Sequence, residues 1–236
     1  MSHHFIKYSG LRFRYEDGNE AIRGIDLTIR HGERVALLGL NGSGKSTLLL
    51  LTDALILASE GEVNIGDIPL TRKTAKTVRR SVGFVFQNPD DMLFMPTVYD
   101  DVAFGPRNMG LPESEVDRRV KESLEAVGLK GLEDKASFQL SGGERRRAAI
   151  ASVLSMEPDI LLLDEPSANL DARARRKLIT LLDSFSHTIL LATHDIEMAR
   201  ELCNRVIVLE EGAVAVDLSA EEFFRDNEYL MEYGLL

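Results

Sequence analysis

The chain has 236 residues, 44% hydrophobic and 28% charged, the composition of a soluble globular protein with enough length for a substantial core. Its 28 basic and 38 acidic residues give a net charge of −10, which argues against broad nucleic-acid binding. A single cysteine, Cys203, excludes an internal disulfide, and no apolar run approaches the roughly 18 residues that would span a bilayer.

Period-2 alternation of Leu11, Phe13 and Tyr15, and of Ile25, Leu27 and Ile29, brackets the turn-like Glu16–Asn19. It predicts an antiparallel β layer over residues 4–30. Val35–Leu38 reads as a buried parallel strand. Gly39-Leu40-Asn41-Gly42-Ser43-Gly44-Lys45-Ser46 follows, matching the phosphate-loop pattern G-x-x-x-x-G-K-[ST] at every fixed position. Its glycines let successive N–H groups converge on an anion. Lys45 supplies charge for the outer phosphates, and the Ser46 hydroxyl is placed to ligate magnesium. Thr47–Leu51 reads as the start of a helix whose N-terminus favours phosphate. Glu62–Asp67 is expected to form a strand and turn, and Ser81–Phe86 another strand ending at Gln87. The basic cluster Arg72, Lys73, Lys76, Arg79 and Arg80 reads as a solvated face.

Residues 88–112 are rich in turn signals and predict an inserted lobe whose first clear helix begins near Pro112-Glu113. Val116, Val120, Leu124 and Val127 stripe that helix, and Gly128 stops it. Leu140-Ser141-Gly142-Gly143-Glu144 precedes a helix through about Met156. Ile160–Leu163 is a second buried strand, ending in Asp164-Glu165. Asp171 is expected to cap the next helix, and Thr188–Ala192 is a third buried strand, ending at Thr193-His194-Asp195. Two strands flank Glu211-Gly212, and Ser219–Glu222 reads as a capping box for a last short helix. Strand–helix alternation predicts an α/β core with its ligand at the carboxyl ends of the strands. Gln87, Asp164, Glu165 and His194 all fall there. Asp164 is the expected magnesium partner, and Glu165 a general base for water attacking the γ-phosphate. Gln87 is placed for magnesium or that water, and His194 for the γ-phosphate. The histidines His3, His4, His31, His187 and His194 show no metal-ligand spacing. Met1–Phe5 has no signal architecture, so a cytosolic product is expected unless a partner holds it at a membrane.

Taken together, these motifs resemble the ATP-binding cassette (ABC) ATPases. Leu140–Glu144 looks like the family's signature, with Glu144 where Gln is usual. Ser167-Ala168-Asn169-Leu170-Asp171 resembles its D-loop, Gln87 its Q-loop and His194 its switch histidine. Tyr15 stands where the family stacks an aromatic ring on adenine. The resemblance covers essentially the whole chain. It implies a P-loop NTPase core from residues 1–87 and 157–236, and a helical lobe at 88–156 within one domain, 1–236. It also implies ATP and magnesium as ligands, contacted by Tyr15, Gly39, Asn41, Gly42, Ser43, Gly44, Lys45, Ser46 and Thr47. The family pairs head to tail, so Ser141, Gly142 and Gly143 would close on the ATP of a second cassette subunit, identical or related.

Gln87–Phe94 and Asp100–Pro106 narrow the resemblance to ATPases of energy-coupling-factor importers, especially the cobalt/nickel type. This implies a transmembrane coupling subunit, a substrate-binding membrane subunit, and a peripheral place on the cytoplasmic face of the membrane. Cobalt, nickel and biotin-type substrates stay open, as does an assembly-machinery ATPase, such as an iron–sulfur scaffold partner. Asp90, Asp91, Asp100 and Asp101 lie where coupling helices would dock; they read either as partners for arginines there or as a solvated acidic loop.

Overall fold

The computed structural model describes residues 5–225 and 227–235. The expectations for the first four residues, including His3, His4 and the start of the β layer at residue 4, lie outside them. In chain order the strands and helices begin with β1 (Ile6–Arg14), β2 (Glu20–Ile29), β3 (Arg34–Leu38) and α1 (Lys45–Thr52). β4 (Glu60–Ile65), β5 (Ile68–Pro69), α2 (Ala75–Val78) and β6 (Val82–Val85) follow. Then come α3 (Val98–Asn108), α4 (Glu113–Ala126), α5 (Gly142–Leu154), β7 (Ile160–Asp164) and α6 (Ala172–Asp183). The chain ends with β8 (Thr188–Ala192), α7 (Ile196–Leu202), β9 (Arg205–Glu210), β10 (Ala213–Ser219), α8 (Ala220–Phe223) and α9 (Glu228–Glu232). These divide into two compact units, one of residues 1–82, 159–165 and 186–236, the other of residues 83–158 and 166–185.

The first unit holds two kinds of sheet. β2-β1-β4-β5 is antiparallel throughout, so the N-terminal layer is completed by strands that follow the phosphate-loop helix. The run β9-β3-β8-β7 is parallel, and β10 adds antiparallel to β9. Val35–Leu38, Ile160–Leu163 and Ile189–Ala192 are fully buried. Such unbroken apolar strands fit a parallel sheet covered on both faces. Parallel pairing also brings the carboxyl ends of β3, β7 and β8 to one edge. The cap at Asp195 forms, its carboxylate accepting the Met198 N–H at 3.0 Å. Cys203 is buried, and burial pushes its thiol up to about 12. Ser219 caps α8 through Glu222 N–H at 3.2 Å, but α8 is not the last helix, because α9 follows.

Arg79 departs from the solvated face expected of its cluster. Its guanidinium donates to the Asp53 and Ala54 carbonyls at 3.0 and 2.7 Å, closing the end of α1. It also lies 3.5 Å from the Asp53 carboxylate. Asp53 is buried at a helix C-terminus, where a negative charge is unfavourable. Burial pushes its carboxyl up to about 7, against the opposing pull of Arg79. A carboxyl whose folded pKa is raised contributes stability below its ordinary 3.8 and loses it as pH rises through about 7. Asp53→Asn should therefore stabilise the protein at pH 8, by about 1–3 kcal/mol after the loss of the Arg79 pair. The gain should shrink to nothing by pH 4. Urea unfolding of both proteins across that range checks it; equal stability at pH 8 refutes it.

The second unit is helical, and its first helix begins earlier than the turn signals suggest. α3 starts at Val98, capped by the Thr97 hydroxyl accepting the Asp100 N–H at 3.1 Å. Gly105-Pro106 lies inside it. Proline has no N–H for the carbonyl four residues back, Val102. The Ser155 hydroxyl donates to that carbonyl instead, at 2.8 Å. Gly105 lets α5's end approach: a Cβ there would sit 2.6 Å from Met156 Cγ. The composition of Gly105-Pro106 thus reports a helix crossing, not a turn. α4 carries its stripe as expected, with Val116, Val120 and Leu124 fully buried and Gly128 at φ +68°.

The acidic run is also partly internal. Asp101 is buried and accepts the Phe94 and Met95 N–H groups, each at 2.9 Å. Asp100 bonds the Thr97 hydroxyl at 2.7 Å and pairs with Arg107 at 3.3 Å. Asp90 pairs with Arg145 at 3.3 Å. Asp101 is therefore unavailable to a partner's arginine, and Asp100 and Asp90 already have cations beside them.

Candidate functional site

Within the first unit, the loops after β3, β7 and β8 carry the predicted side chains. The turn after β3 needs its glycines. Gly39 has φ +141°, and a Cβ there would lie 2.3 Å from the Leu209 carbonyl oxygen on β9. Gly44 has φ +105°, and a Cβ would lie 2.7 Å from the Ala21 carbonyl oxygen on β2. Both positions require a backbone that L side chains rarely adopt, at a distance that excludes any side chain. Asn41 and Gly42 form the exposed tip, while Ser43 is buried and donates its N–H to Leu40 O at 3.1 Å. α1 starts from Gly44 with no side-chain cap and no acid in its first turn. Its leading N–H groups are left for an anion.

Lys45 is buried, and its ammonium donates to the Gly39 and Leu40 carbonyls at 2.7 and 3.0 Å. Burial lowers its pKa, while Glu165 and Asp164 pull the other way. Asp164, at the end of β7, is held above the usual carboxylate range by burial. The Ser46 hydroxyl bonded to it, and Lys45, oppose that rise. Ser46 itself is exposed, so its oxygen faces both the carboxylate and solvent. Among the described residues no cluster of three His, Cys, Asp or Glu side chains forms an all-protein metal cage. A hydroxyl and one carboxylate beside a phosphate loop are the hard oxygen donors that suit magnesium, which is completed by phosphate oxygens and water.

Glu165 adopts φ +46°, and its N–H donates to Ala192 O on β8 at 2.8 Å. That left-handed turn sends its side chain across to the loop after β8. His194 Nδ1 lies 2.8 Å from Glu165 Oε2, and the His194 N–H donates to the same oxygen at 3.2 Å. The Thr193 hydroxyl donates to it as well, at 3.2 Å. Tyr15 stands beside the phosphate loop. Its hydroxyl shares a hydrogen bond with the Thr47 hydroxyl at 3.0 Å, and its ring meets Phe13 edge to face at 4.8 Å. The ring forms one wall of an open cavity of about 790 Å³ with Arg14, Leu55, Ile56 and Arg72.

The remaining predicted residues belong to the second unit. Gln87 is exposed at the end of β6. Ser141 caps α5 with a complete capping box: Ser141 N–H to Glu144 Oε2 at 2.8 Å, and Glu144 N–H to Ser141 Oγ at 3.3 Å. The Ser141 N–H, and then its hydroxyl, hold the Glu144 carboxyl below its ordinary range. Glutamate thus serves this box fully. Gly142 is exposed, and Gly143 half-exposed, at the first helical positions.

Three further contacts go beyond the sequence expectations. Arg146 is buried and donates to Phe86 O at 3.0 Å, and Arg145 pairs with Asp90. Together they tie the helix after Ser141–Gly143 to the segment around Gln87. Thr193 is the third. The sequence signal for Arg146 is a charged residue at a buried helical position. Thr193 offered only its place beside His194.

Residues 22–168 match the family described as ABC transporter. The energy-coupling factor transporter ATP-binding protein EcfA of Methanocaldococcus jannaschii is 42% identical over 237 residues, 98% of this chain and 85% of that protein. Among solved structures, cbiO1 of Clostridium perfringens, described as part of the ABC transporter complex cbiONQ, superposes with a TM-score of 0.86 at 39% identity, covering 99% of this chain and 95% of that one. The ATP-binding cassette MJ0796, solved as a dimer in a post-hydrolysis state with ADP and Pi, superposes with a TM-score of 0.83 at 31% identity, covering 91% and 98%. The chain belongs to the ABC transporter family, as an ATP-binding and ATP-hydrolysing member of it.

Proposed function

We propose that this chain energises a membrane importer of the energy-coupling-factor type, for cobalt, nickel or a vitamin such as biotin. The observation that carries its ATP-hydrolysing part is the convergence of phosphate loop, buried Asp164 and the Glu165–His194 pair at one sheet edge, and the 42% identity to an energy-coupling factor ATP-binding protein supports the importer type. Residues 1–236 act as one cassette, with the lobe at 88–156 carrying the signature. ATP lies with its base on Tyr15 and its phosphates on Gly39–Thr47. Lys45 neutralises the outer phosphates. Ser46, Asp164 and Gln87 would hold magnesium, which would withdraw charge from the phosphates. Water attacks the γ-phosphorus, the bond to the ADP oxygen breaks, and Glu165 takes the water's proton. His194 steadies Glu165 and reaches the γ-phosphate.

Ser141, Gly142 and Gly143 serve the ATP of a second cassette, identical or related, because an exposed helix N-terminus with a hydroxyl suits phosphate. The dimeric cassette supports this pairing. The relative named for an energy-coupling factor and the neighbour described as part of a transporter complex support membrane partners. Those partners are a transmembrane coupling subunit and a substrate-binding subunit. Among the described residues no helix is long and apolar enough to cross a membrane, which fits a peripheral place on the cytoplasmic face. Detergent pulldown of the tagged chain from its native membranes tests the reading. Multi-span membrane proteins and a cassette subunit are expected to copurify; capture of a soluble iron–sulfur scaffold in their place would overturn it.

A further inference from the structure

Among the described residues, the Thr193 hydroxyl and the His194 N–H both donate to Oε2 of the Glu165 carboxylate, and His194 Nδ1 lies 2.8 Å from the same oxygen. Thr193 is the donor built most firmly into the fold. It is fully buried, directly after β8, and its N–H donates to Leu37 O on β3 at 3.2 Å. Its Oγ1 accepts the Asp195 N–H at 3.0 Å, at the start of α7. A hydroxyl has one proton and two lone pairs. With the Asp195 N–H on a lone pair, the proton goes to Glu165 Oε2. The hydroxyl therefore links the capped end of α7 to the carboxylate.

His194 cannot replace that fixed point. Its ring is largely exposed, with 73% of the side chain accessible, so solvent and nucleotide both compete for it. The backbone of Glu165 adds the second anchor, through its bond to Ala192 O. With the main chain and one oxygen held, rotation about the last side-chain bond is restricted, and Oε1 faces away from the clamp. We propose that Thr193 is a positioning residue that presents Oε1 of Glu165 to the attacking water. The proposal rests on Glu165 being the general base, and its test separates the two.

The test is a double-mutant cycle on steady-state ATP hydrolysis, with Thr193→Val, Thr193→Ser and Glu165→Gln in the full chain. Valine keeps the shape and removes the donor; serine keeps the donor. Thr193→Val should lower kcat about tenfold, the scale of one hydrogen bond to a charged group, with KM for ATP within about twofold. Thr193→Ser should restore most of kcat. In the Glu165→Gln background, Thr193→Val should change the residual rate little, because both act on one step. An unchanged kcat in Thr193→Val overturns the proposal. So does the same fold loss with and without Glu165, which marks a structural effect, or a loss that serine does not rescue. If Glu165→Gln alone retains near-normal turnover, it is the base assignment that fails, and Thr193 with it.

Discussion

Glu165→Gln should bind ATP with nearly unchanged affinity and lose at least about 100-fold in steady-state hydrolysis. The carboxylate stands at the end of β7, beside Asp164, on a backbone turn that its left-handed φ makes costly for glutamate. A strained non-glycine residue persists only where its surroundings over-determine it. Here they do, through the Ala192 carbonyl and the Thr193 and His194 contacts on Oε2. Glutamine keeps the length of the side chain and can still accept Thr193's proton through its carbonyl oxygen. It cannot take a proton from water. Binding should survive, because the residues proposed to contact phosphate are Gly39–Thr47, Lys45 among them, and the substitution leaves them untouched. With binding intact and the chemical step blocked, ATP stays in place, and the variant should accumulate as a dimer on a sizing column in ATP but not in ADP. Turnover within a few-fold of the wild type would refute Glu165 as the base. A monomer in saturating ATP would count against closure of two chains around the nucleotide.

The two units were legible in the sequence to different depths. β3, β7 and β8 declared themselves because unbroken runs such as Ile160–Leu163 have one common use, a strand covered on both faces. The phosphate loop was readable because its glycines answer a local demand, visible at Gly39 and Gly44 as φ values and forbidden Cβ positions. α3 was not readable. Pro106 is a helix breaker by local rules, and what makes it tolerable is the hydroxyl of Ser155, 49 positions later in the chain and 2.8 Å from Val102 O. Asp101 misled for the same reason. Nothing near it in sequence says that its carboxylate is spent on the Phe94 and Met95 amides. Arg79 and Thr193 belong with these: each owes its role to one long-range partner, Asp53 or Glu165, that no periodicity encodes. Local rules found the strands and the anion loop, and long-range hydrogen bonds decided the rest.

Lys45→Ala should fail one step earlier than Glu165→Gln. We expect hydrolysis to fall by at least about 100-fold and ATP affinity by about tenfold, because in the proposed role the ammonium acts on phosphate charge both in binding and in the transition state. The structure adds a reason for the affinity loss. Lys45 Nζ bonds the Gly39 and Leu40 carbonyls, so the lysine also holds the loop in its curled form. Alanine leaves those carbonyls without that donor. It also leaves Asp164 without a cation that opposes the rise of its pKa. Titration of a fluorescent ATP analogue reads the affinity loss. Because nucleotide is held about tenfold less tightly, the Lys45→Ala, Glu165→Gln double variant should need about tenfold more ATP to form the dimer that Glu165→Gln alone accumulates. A double variant that still dimerises at the same ATP concentration would show that Lys45 is dispensable for binding, and would move its role wholly into the chemical step.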